Sequence, residues 1–165
     1  MAADHMKELP RPVGRLRAAL PAILYALSLV ALTDPPRVSG NVWSRYMTIE
    51  SIVERGTLSV DQSPYLGPSG SPDLAKFRGR LYSDKPPVLS VLGAAVYAPL
   101  YHFGYTMFDL RSPKAFLDSF STVNRALVAI LVAFPSAMVI YALRIMFQLI
   151  DIPRWMSDIL AIGFG

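Results

Sequence analysis

The feature that most limits how this chain can fold is a set of three long apolar runs, separated by segments rich in proline and charged residues. They cover residues 16–33, 86–108 and 126–149. Because a helix rises about 1.5 Å per residue, runs of this length suffice to cross a hydrocarbon layer about 30 Å thick. The sequence therefore predicts an all-α integral membrane protein with three transmembrane helices. A last apolar stretch at 156–165 is typical of the opening turns of a fourth, which predicts that the chain is an N-terminal fragment.

The composition narrows the possible functions. Hydrophobic residues make up 53% of the chain and charged residues 17%, against about 25% charged in ordinary soluble domains. The net charge of +4 is spread too evenly to indicate a nucleic-acid-binding protein. With no cysteine and only two histidines, disulfide scaffolds, thiol catalysis and histidine-rich metal sites are excluded.

Basic residues predict the orientation of the runs. Four of them precede the first run closely and place the N-terminal tail, 1–15, in the cytoplasm: Lys7, Arg11, Arg15 and Arg17. The loop 109–125 is then also cytoplasmic, and the segment 34–85 faces outward. No small-x-small cleavage site precedes Asp34, which favours a retained anchor over a cleaved signal peptide.

The outward segment contains a predicted amphipathic helix at about 42–55, ending before Gly56. Its apolar stripe predicts a helix lying in the membrane interface, with its aromatic residues at the headgroup level. Glu50 and Glu54 lie one turn apart on the side of Trp43. Two interpretations stay open: both carboxylates face solvent, or one of them is a base or metal ligand beside a membrane-embedded substrate.

The end of this segment is rich in charge. A hairpin turning at Arg78-Gly79 is predicted, followed by the stretch Tyr82-Ser83-Asp84-Lys85-Pro86-Pro87. Ser83 or Asp84 would cap the next helix, whose free N–H groups, together with Lys85, Arg78 and Arg80, would seat a phosphate. The alternative is that Asp84 is only a cap and that the basic residues contact lipid headgroups.

These segments resemble the N-terminal part of bacterial membrane glycosyltransferases of the GT-C superfamily. The resemblance is greatest to the branch of the protein mannosyltransferases and the lipid A aminoarabinose transferase. The residues that carry it are Trp43-Ser44-Arg45-Tyr46, Val53-Glu54-Arg55-Gly56-Thr57, Val60-Asp61 and Gly79-Arg80-Leu81-Tyr82-Ser83-Asp84-Lys85-Pro86-Pro87.

The resemblance implies a multi-pass enzyme of the bacterial inner membrane that transfers sugar from a polyprenyl-phosphate donor at the outer face. It implies an acid that acts as base or helps to bind a divalent metal ion, for which Asp84 and Glu50 are the candidates. Donor phosphate would contact Lys85, Arg78 and Arg80. The residues expected to contact the sugar or lipid are Tyr82, Trp43, Arg45 and Tyr46.

The chain departs from this family at Asn41. Family members commonly carry Asp or Asp-Glu just before the interfacial helix, whereas Gly40-Asn41-Val42-Trp43-Ser44 contains no acid. Because an amide cannot act as a base at neutral pH, another acid (Glu50, Asp84 or Asp34) would have to replace it. The alternative is a non-catalytic accessory or polyprenyl-lipid-binding protein, and a third is a complete three-span protein whose outward segment binds a partner.

Overall fold

The computed structural model describes the backbone of residues 12–33, 40–66 and 73–164. Most of it is helical, with one antiparallel hairpin. In chain order the elements are α1 (Pro12–Ala31), α2 (Gly40–Arg55), β1 (Leu74–Phe77), β2 (Arg80–Ser83), α3 (Val88–His102), α4 (Pro113–Val128), a π-helical turn (Ala129–Ala133), α5 (Phe134–Leu149) and α6 (Arg154–Phe164). They form two compact units, one containing α1, α5 and α6 and the other lying within 30–132.

The prediction of three transmembrane helices is wrong. Within the described ranges, one helix is long and apolar enough to cross a membrane, the continuous helix Pro113–Leu149 that runs from α4 through the π-helical turn to α5. The apolar helical stretches elsewhere are Ala19–Ala31 and Val88–His102. At about 1.5 Å per residue, Val88–His102 covers only about 22 Å of a hydrocarbon layer about 30 Å thick.

The predicted second span, 86–108, fails because apolar composition does not reveal where a helix ends. The helix begins only after Pro87 and stops at Phe103, where Gly104 turns the chain at a φ of 88°. The apolar residues beyond it, Met107 and Phe108, return to the protein core. One continuous apolar run in sequence is therefore a short helix, a turn and a buried loop.

The predicted loop 109–125 also differs from expectation. It is helical from Pro113 on, because Ser112 caps this helix: its Oγ accepts a hydrogen bond of 3.0 Å from the backbone N–H of Ala115. Where the sequence predicts that a further helix begins, at about 156, the structure has α6, in which Ser157 and Ala161 are buried.

The long helix contains its π-helical turn just before Pro135. Proline lacks a backbone N–H, and its ring clashes with the carbonyl group four residues earlier, here that of Leu131. The turn Ala129–Ala133 widens the helix at this carbonyl and so accommodates the ring.

The unit containing α1, α5 and α6 packs around a small cluster of buried side chains. Ala22, Ile140 and Ala161, one from each helix, form its buried cluster. Arg144 of α5 pairs with Asp158 of α6, with 2.5 Å between Nε and Oδ1. This ion pair compensates the charge of an arginine that is otherwise almost fully buried.

The second unit packs α2 against α3 at Gly93. A Cβ atom at this position would overlap the end of the Ile49 side chain and lie only 2.9 Å from its Cγ1 atom. Glycine thus permits the close approach of the two helices. Around this contact lies an apolar core that includes Met47, Tyr97 and Phe120.

Some sequence-based predictions fall on residues outside the described ranges. Asp34, Lys7 and Arg11 are among them, and the side chains of Arg15 and Arg17 are likewise not described. The cytoplasmic position of the N-terminus and the outward position of 34–85 therefore stay predictions.

Candidate functional site

Helix α2 forms the scaffold of the candidate site. It runs from Gly40 to Arg55 and ends where Gly56, at a φ of 65°, donates its N–H to the carbonyl of Ile52. Its middle is buried on nearly every side, including polar residues: Ser44, Tyr46, Met47, Thr48, Ile49, Glu50 and Ser51. The helix is therefore held within the unit by neighbouring elements and does not present one free apolar face.

An apolar groove runs beside α2, with a volume of about 270 Å³. Seven of its nine lining residues are aliphatic, and they come from α2, α3, α4 and the π-helical turn: Val42, Ile49, Leu89, Leu127, Val128, Leu131 and Val132. The other two are Arg45 and Tyr46. No acidic residue lines the groove, so it combines an aliphatic wall with a single positive charge.

Arg45 is the unusual residue of this groove. Its Nε atom is buried and has no hydrogen-bond partner among the described residues. Arginine is almost always protonated, and a guanidinium nitrogen away from water ordinarily pairs with a carboxylate or phosphate. The arrangement suits an amphiphile with an apolar tail and an anionic head.

The aromatic residues predicted to contact substrate have structural partners. Trp43 stacks on Tyr65 with ring centroids 4.8 Å apart, and it also packs against Phe120. Tyr46 donates its hydroxyl proton to Oδ1 of Asn124, and burial raises the pKa of Tyr46 to about 12. Trp43 is thus part of the core, whereas Tyr46 belongs to both the core and the groove wall.

Glu50 is engaged in a buried ion pair. Its side chain is 1% exposed, and both carboxylate oxygens accept hydrogen bonds from the guanidinium of Arg55. Arg55 also donates to Ser51 at 2.6 Å. A base must reach the proton that it removes, and this carboxylate faces a cation inside the protein. The geometry suits a structural role for Glu50.

Glu54 lies on the same helix in a different setting. It accepts a hydrogen bond of 2.5 Å from the hydroxyl of Tyr97, whose oxygen in turn accepts the backbone N–H of Met107 at 2.6 Å. Burial, reinforced by the nearby charge of Glu50, raises the pKa of Glu54 although the hydrogen bond from Tyr97 opposes this. The chain of contacts ties α2 to α3 and to the loop beyond it.

Asp84 is the accessible acid among the predicted catalytic residues. It pairs with Lys85, with 3.2 Å between carboxylate and Nζ, and Lys85 also lies 3.4 Å from Asp73. The hydrogen bond to Asp84 raises the pKa of Lys85. Lys85 lines a small pocket of about 180 Å³ together with Thr48, Leu58, Tyr82, Ser83, Pro87 and Ser90.

Among the described residues, these acids are not grouped as metal ligands. The described residues contain no group of three or more His, Asp or Glu side chains that could hold a metal ion. Between Asp73 and Asp84 lies the ammonium group of Lys85, which already compensates the two carboxylates. The donor set at this point does not fit a divalent cation, and we derive no step through one.

The start of α3 differs from the predicted phosphate seat. Neither Ser83 nor Asp84 caps the helix, which begins after Pro87 without a side-chain hydrogen bond. Ser83 instead accepts the backbone N–H of Lys85 and donates its hydroxyl proton to Oγ of Ser44 at 3.0 Å. This last contact joins two segments that lie far apart in the sequence.

The three predicted phosphate-binding cations are not brought together. Lys85 lies beyond the base of the hairpin, where Leu74 is paired with Ser83, whereas Arg78 is in the turn at the other end. At about 3.4 Å per residue, about 10 Å of strand separates Ser83 from Arg80. Arg78 and Arg80 are both exposed, and the guanidinium of Arg78 lies over the ring of Phe77.

Most of the groove could not be recognised from the sequence. Leu89, Leu127 and Leu131 looked like membrane-span residues, since nothing in an apolar run distinguishes a groove wall from a lipid-facing surface. Asn124, the acceptor for Tyr46, was also missed.

No known protein family matches this chain, and neither a curated protein nor a solved structure matches it. The function is therefore argued from the site.

Proposed function

We propose that this chain binds a polyprenyl-phosphate lipid at a membrane, with the isoprenoid tail in the groove beside α2 and the phosphate at Arg45. The observation that carries the proposal is the buried Nε of Arg45, which has no described partner and lies at an otherwise aliphatic groove. A phosphate would supply the missing acceptor, and charge-assisted hydrogen bonds of this kind are strong.

The groove volume is consistent with partial enclosure of the lipid. At about 270 Å³ it falls near the lower end of the range for small-molecule pockets, about 300–1,000 Å³. It would hold the phosphate-proximal part of a long isoprenoid, and the rest of the tail would stay in the bilayer. Membrane association is supported by the helix Pro113–Leu149, whose apolar segment is largely exposed.

Lipid binding can be measured by titrating the purified chain in detergent with polyprenyl phosphate and recording complexes by native mass spectrometry. Arg45→Gln should weaken binding at least about tenfold, since a hydrogen bond to a charged group contributes about 1.5–3 kcal/mol. Arg45→Lys should retain part of the affinity because the positive charge remains. Arg125→Gln, at an exposed arginine outside the groove, is the matched control.

The proposal is refuted if Arg45→Gln binds polyprenyl phosphate as well as the unsubstituted chain does. A polyprenol without the phosphate gives a second check. It should bind more weakly than the phosphate and should be insensitive to the Arg45 substitution. Equal affinities for the two lipids would remove Arg45 from the site.

A second candidate function is sugar transfer from such a lipid, as in the GT-C glycosyltransferases that the sequence resembles. The observation that favours it is the Ser44–Ser83 hydrogen bond, because it joins the two segments that carry the resemblance. Asp84 is then the acid that would deprotonate or orient the acceptor, and Lys85 would face the departing phosphate.

This second function is tested with Asp84→Asn. If the chain transfers sugar from a polyprenyl-phosphate donor, the substitution should abolish turnover while lipid binding and membrane insertion persist. Near-normal turnover would remove Asp84 from the catalytic role. Lipid binding without any transfer by the unsubstituted chain would leave the binding function alone.

A further inference from the structure

The hairpin formed by β1 and β2 has a strongly basic tip. Three cations, Lys76, Arg78 and Arg80, lie within five residues of one another, and all are exposed. The segment Leu74–Ser83 contains no acidic residue. Asp61 is the acid that contacts the hairpin, through a hydrogen bond of 2.8 Å from the backbone N–H of Leu81.

An exposed aromatic ring lies among these cations. Phe77 is 60% exposed, and the guanidinium carbon of Arg78 lies 5.2 Å from the centre of its ring. Phe77 is paired with Arg80 across the hairpin, so that both side chains leave the same face of the sheet. The guanidinium of Arg78 thus lies over the ring, and Arg80 leaves the same face of the sheet as Phe77.

The other face of the hairpin fixes it to the protein. Leu74 and Leu81 lie on the face opposite Phe77 and pack against the core cluster of this unit, whereas Lys76, which pairs with Leu81, is exposed at the edge of that face. The backbone N–H of Val60 donates to the carbonyl of Leu81 at 2.9 Å. One face is therefore anchored, and the tip with Phe77 projects from a fixed base.

We propose that this hairpin tip docks on the surface of an anionic lipid bilayer. Phe77 would enter the interface, where aromatic rings are favoured, and the three cations would contact lipid phosphates. An exposed aromatic ring beside a guanidinium group suits a boundary between apolar and charged layers. The long apolar helix Pro113–Leu149 in the same chain also favours a bilayer over other anionic partners.

This surface is separate from the lipid groove. None of the residues lining the groove belongs to β1 or β2. The hairpin would recognise the bilayer as a surface, whereas the groove would hold one lipid molecule. Either proposal can therefore fail without the other.

The chain contains no cysteine, which permits a single reporter at the tip. Phe77→Cys labelled with an environment-sensitive fluorophore should show a blue-shifted emission in proteoliposomes containing about a third phosphatidylglycerol, with quenching by spin-labelled lipids. In phosphatidylcholine alone the shift should be small. A label at Gln62→Cys, an exposed polar position off the hairpin, should respond to neither lipid.

The dependence of the tip interaction on charge provides a second test. Each cation near an anionic surface strengthens binding about fivefold, so Lys76→Gln, Arg78→Gln and Arg80→Gln combined should weaken the tip interaction about a hundredfold. Salt near 1 M, where the screening length is about 3 Å, should have a similar effect. Lys114→Gln, at an exposed lysine elsewhere, should leave the fluorescence unchanged.

Three results would overturn the proposal. These are the same emission in both lipid compositions, an unchanged signal in the triple variant, and a shift without quenching by spin-labelled lipids. If a polyanion such as heparin reproduces the full spectral change without lipid, the tip recognises negative charge in general, and the assignment to a bilayer is refuted.

Discussion

The buried ion pair between Glu50 and Arg55 gives the most direct test of how this unit is held together. Glu50 is 1% exposed and Arg55 is 19% exposed. Removing one partner of a buried pair costs about 3–5 kcal/mol, because the other charge is left uncompensated. The two partners differ in their access to water, so the two substitutions should not cost the same.

We expect Arg55→Gln to cost about 4–5 kcal/mol of unfolding free energy, because it leaves a carboxylate with almost no solvent contact. Glu50→Gln should cost less, about 2–3 kcal/mol, because Arg55 is partly solvated and Glu54 lies near it. Replacing both, Glu50→Leu with Arg55→Met, should cost less than Arg55→Gln alone.

The assay is denaturant unfolding followed by the fluorescence of Trp43, which belongs to the same unit. Trp155→Phe, at an exposed position in the other unit, removes the competing fluorophore. Midpoint shifts at constant slope give the stability changes. Equal costs for the two single substitutions, or an Arg55→Gln variant as stable as its parent, would refute the reasoning. A Glu50→Gln variant of unchanged stability that lost sugar transfer would instead assign Glu50 to catalysis.

Three further predictions follow from individual contacts. Because the pKa of Glu54 is raised in the folded state, its contribution to stability is complete below its unfolded pKa and is lost as pH rises through its folded pKa. Glu54→Gln should therefore match the parent near pH 4 and exceed it near pH 7 by about a few tenths of a kcal/mol in unfolding experiments, from the relieved repulsion alone. Gly93→Ala should lower the unfolding free energy by about 1–2 kcal/mol, since overlap with Ile49 outweighs the gain in helix propensity, whereas Gly163→Ala, with open space around its Cβ, should not destabilise the chain. Ser112→Ala should cost about 1 kcal/mol in thermal unfolding through loss of the helix cap, and an unchanged midpoint would contradict this.

Local signals in the sequence predicted local structure well. The helix expected at 42–55 is observed at Gly40–Arg55, because Gly56 supplies the left-handed residue that ends it. The hairpin turns at Arg78-Gly79, where both residues have positive φ, as a two-residue type I′ turn requires. In these places the information lies within a few neighbouring residues.

The spans could not be predicted in the same way, because hydropathy reports composition and not the partner that covers an apolar surface. The face of α3 with Gly93 and Tyr97 is covered by the protein itself, although its residues resemble those of a membrane helix. Whether an apolar residue meets lipid or protein depends on contacts between segments distant in sequence. The sequence pattern alone does not contain that information.

Prediction of the candidate site from the sequence also failed because its contacts join distant segments. In addition, the sequence does not show how far a long side chain reaches. Glu50 and Arg55 are five residues apart, a spacing that places them on different sides of a helix, so the helical wheel gave no reason to pair them. The long arginine side chain at the end of α2 spans the distance. The groove could not be foreseen either, since it exists only where α2, α3 and α4 meet.

The backbone of Arg78 has a consequence for engineering this protein. Arg78 adopts a φ of 48°, a left-handed conformation in which asparagine or glycine is more stable than a long side chain. Arg78→Asn should therefore make the turn more stable while it removes one of the cations at the tip. The natural residue makes the turn less stable but keeps a guanidinium at the outermost point of the hairpin. A redesign of this chain guided by stability alone would remove that cation and leave the fold intact.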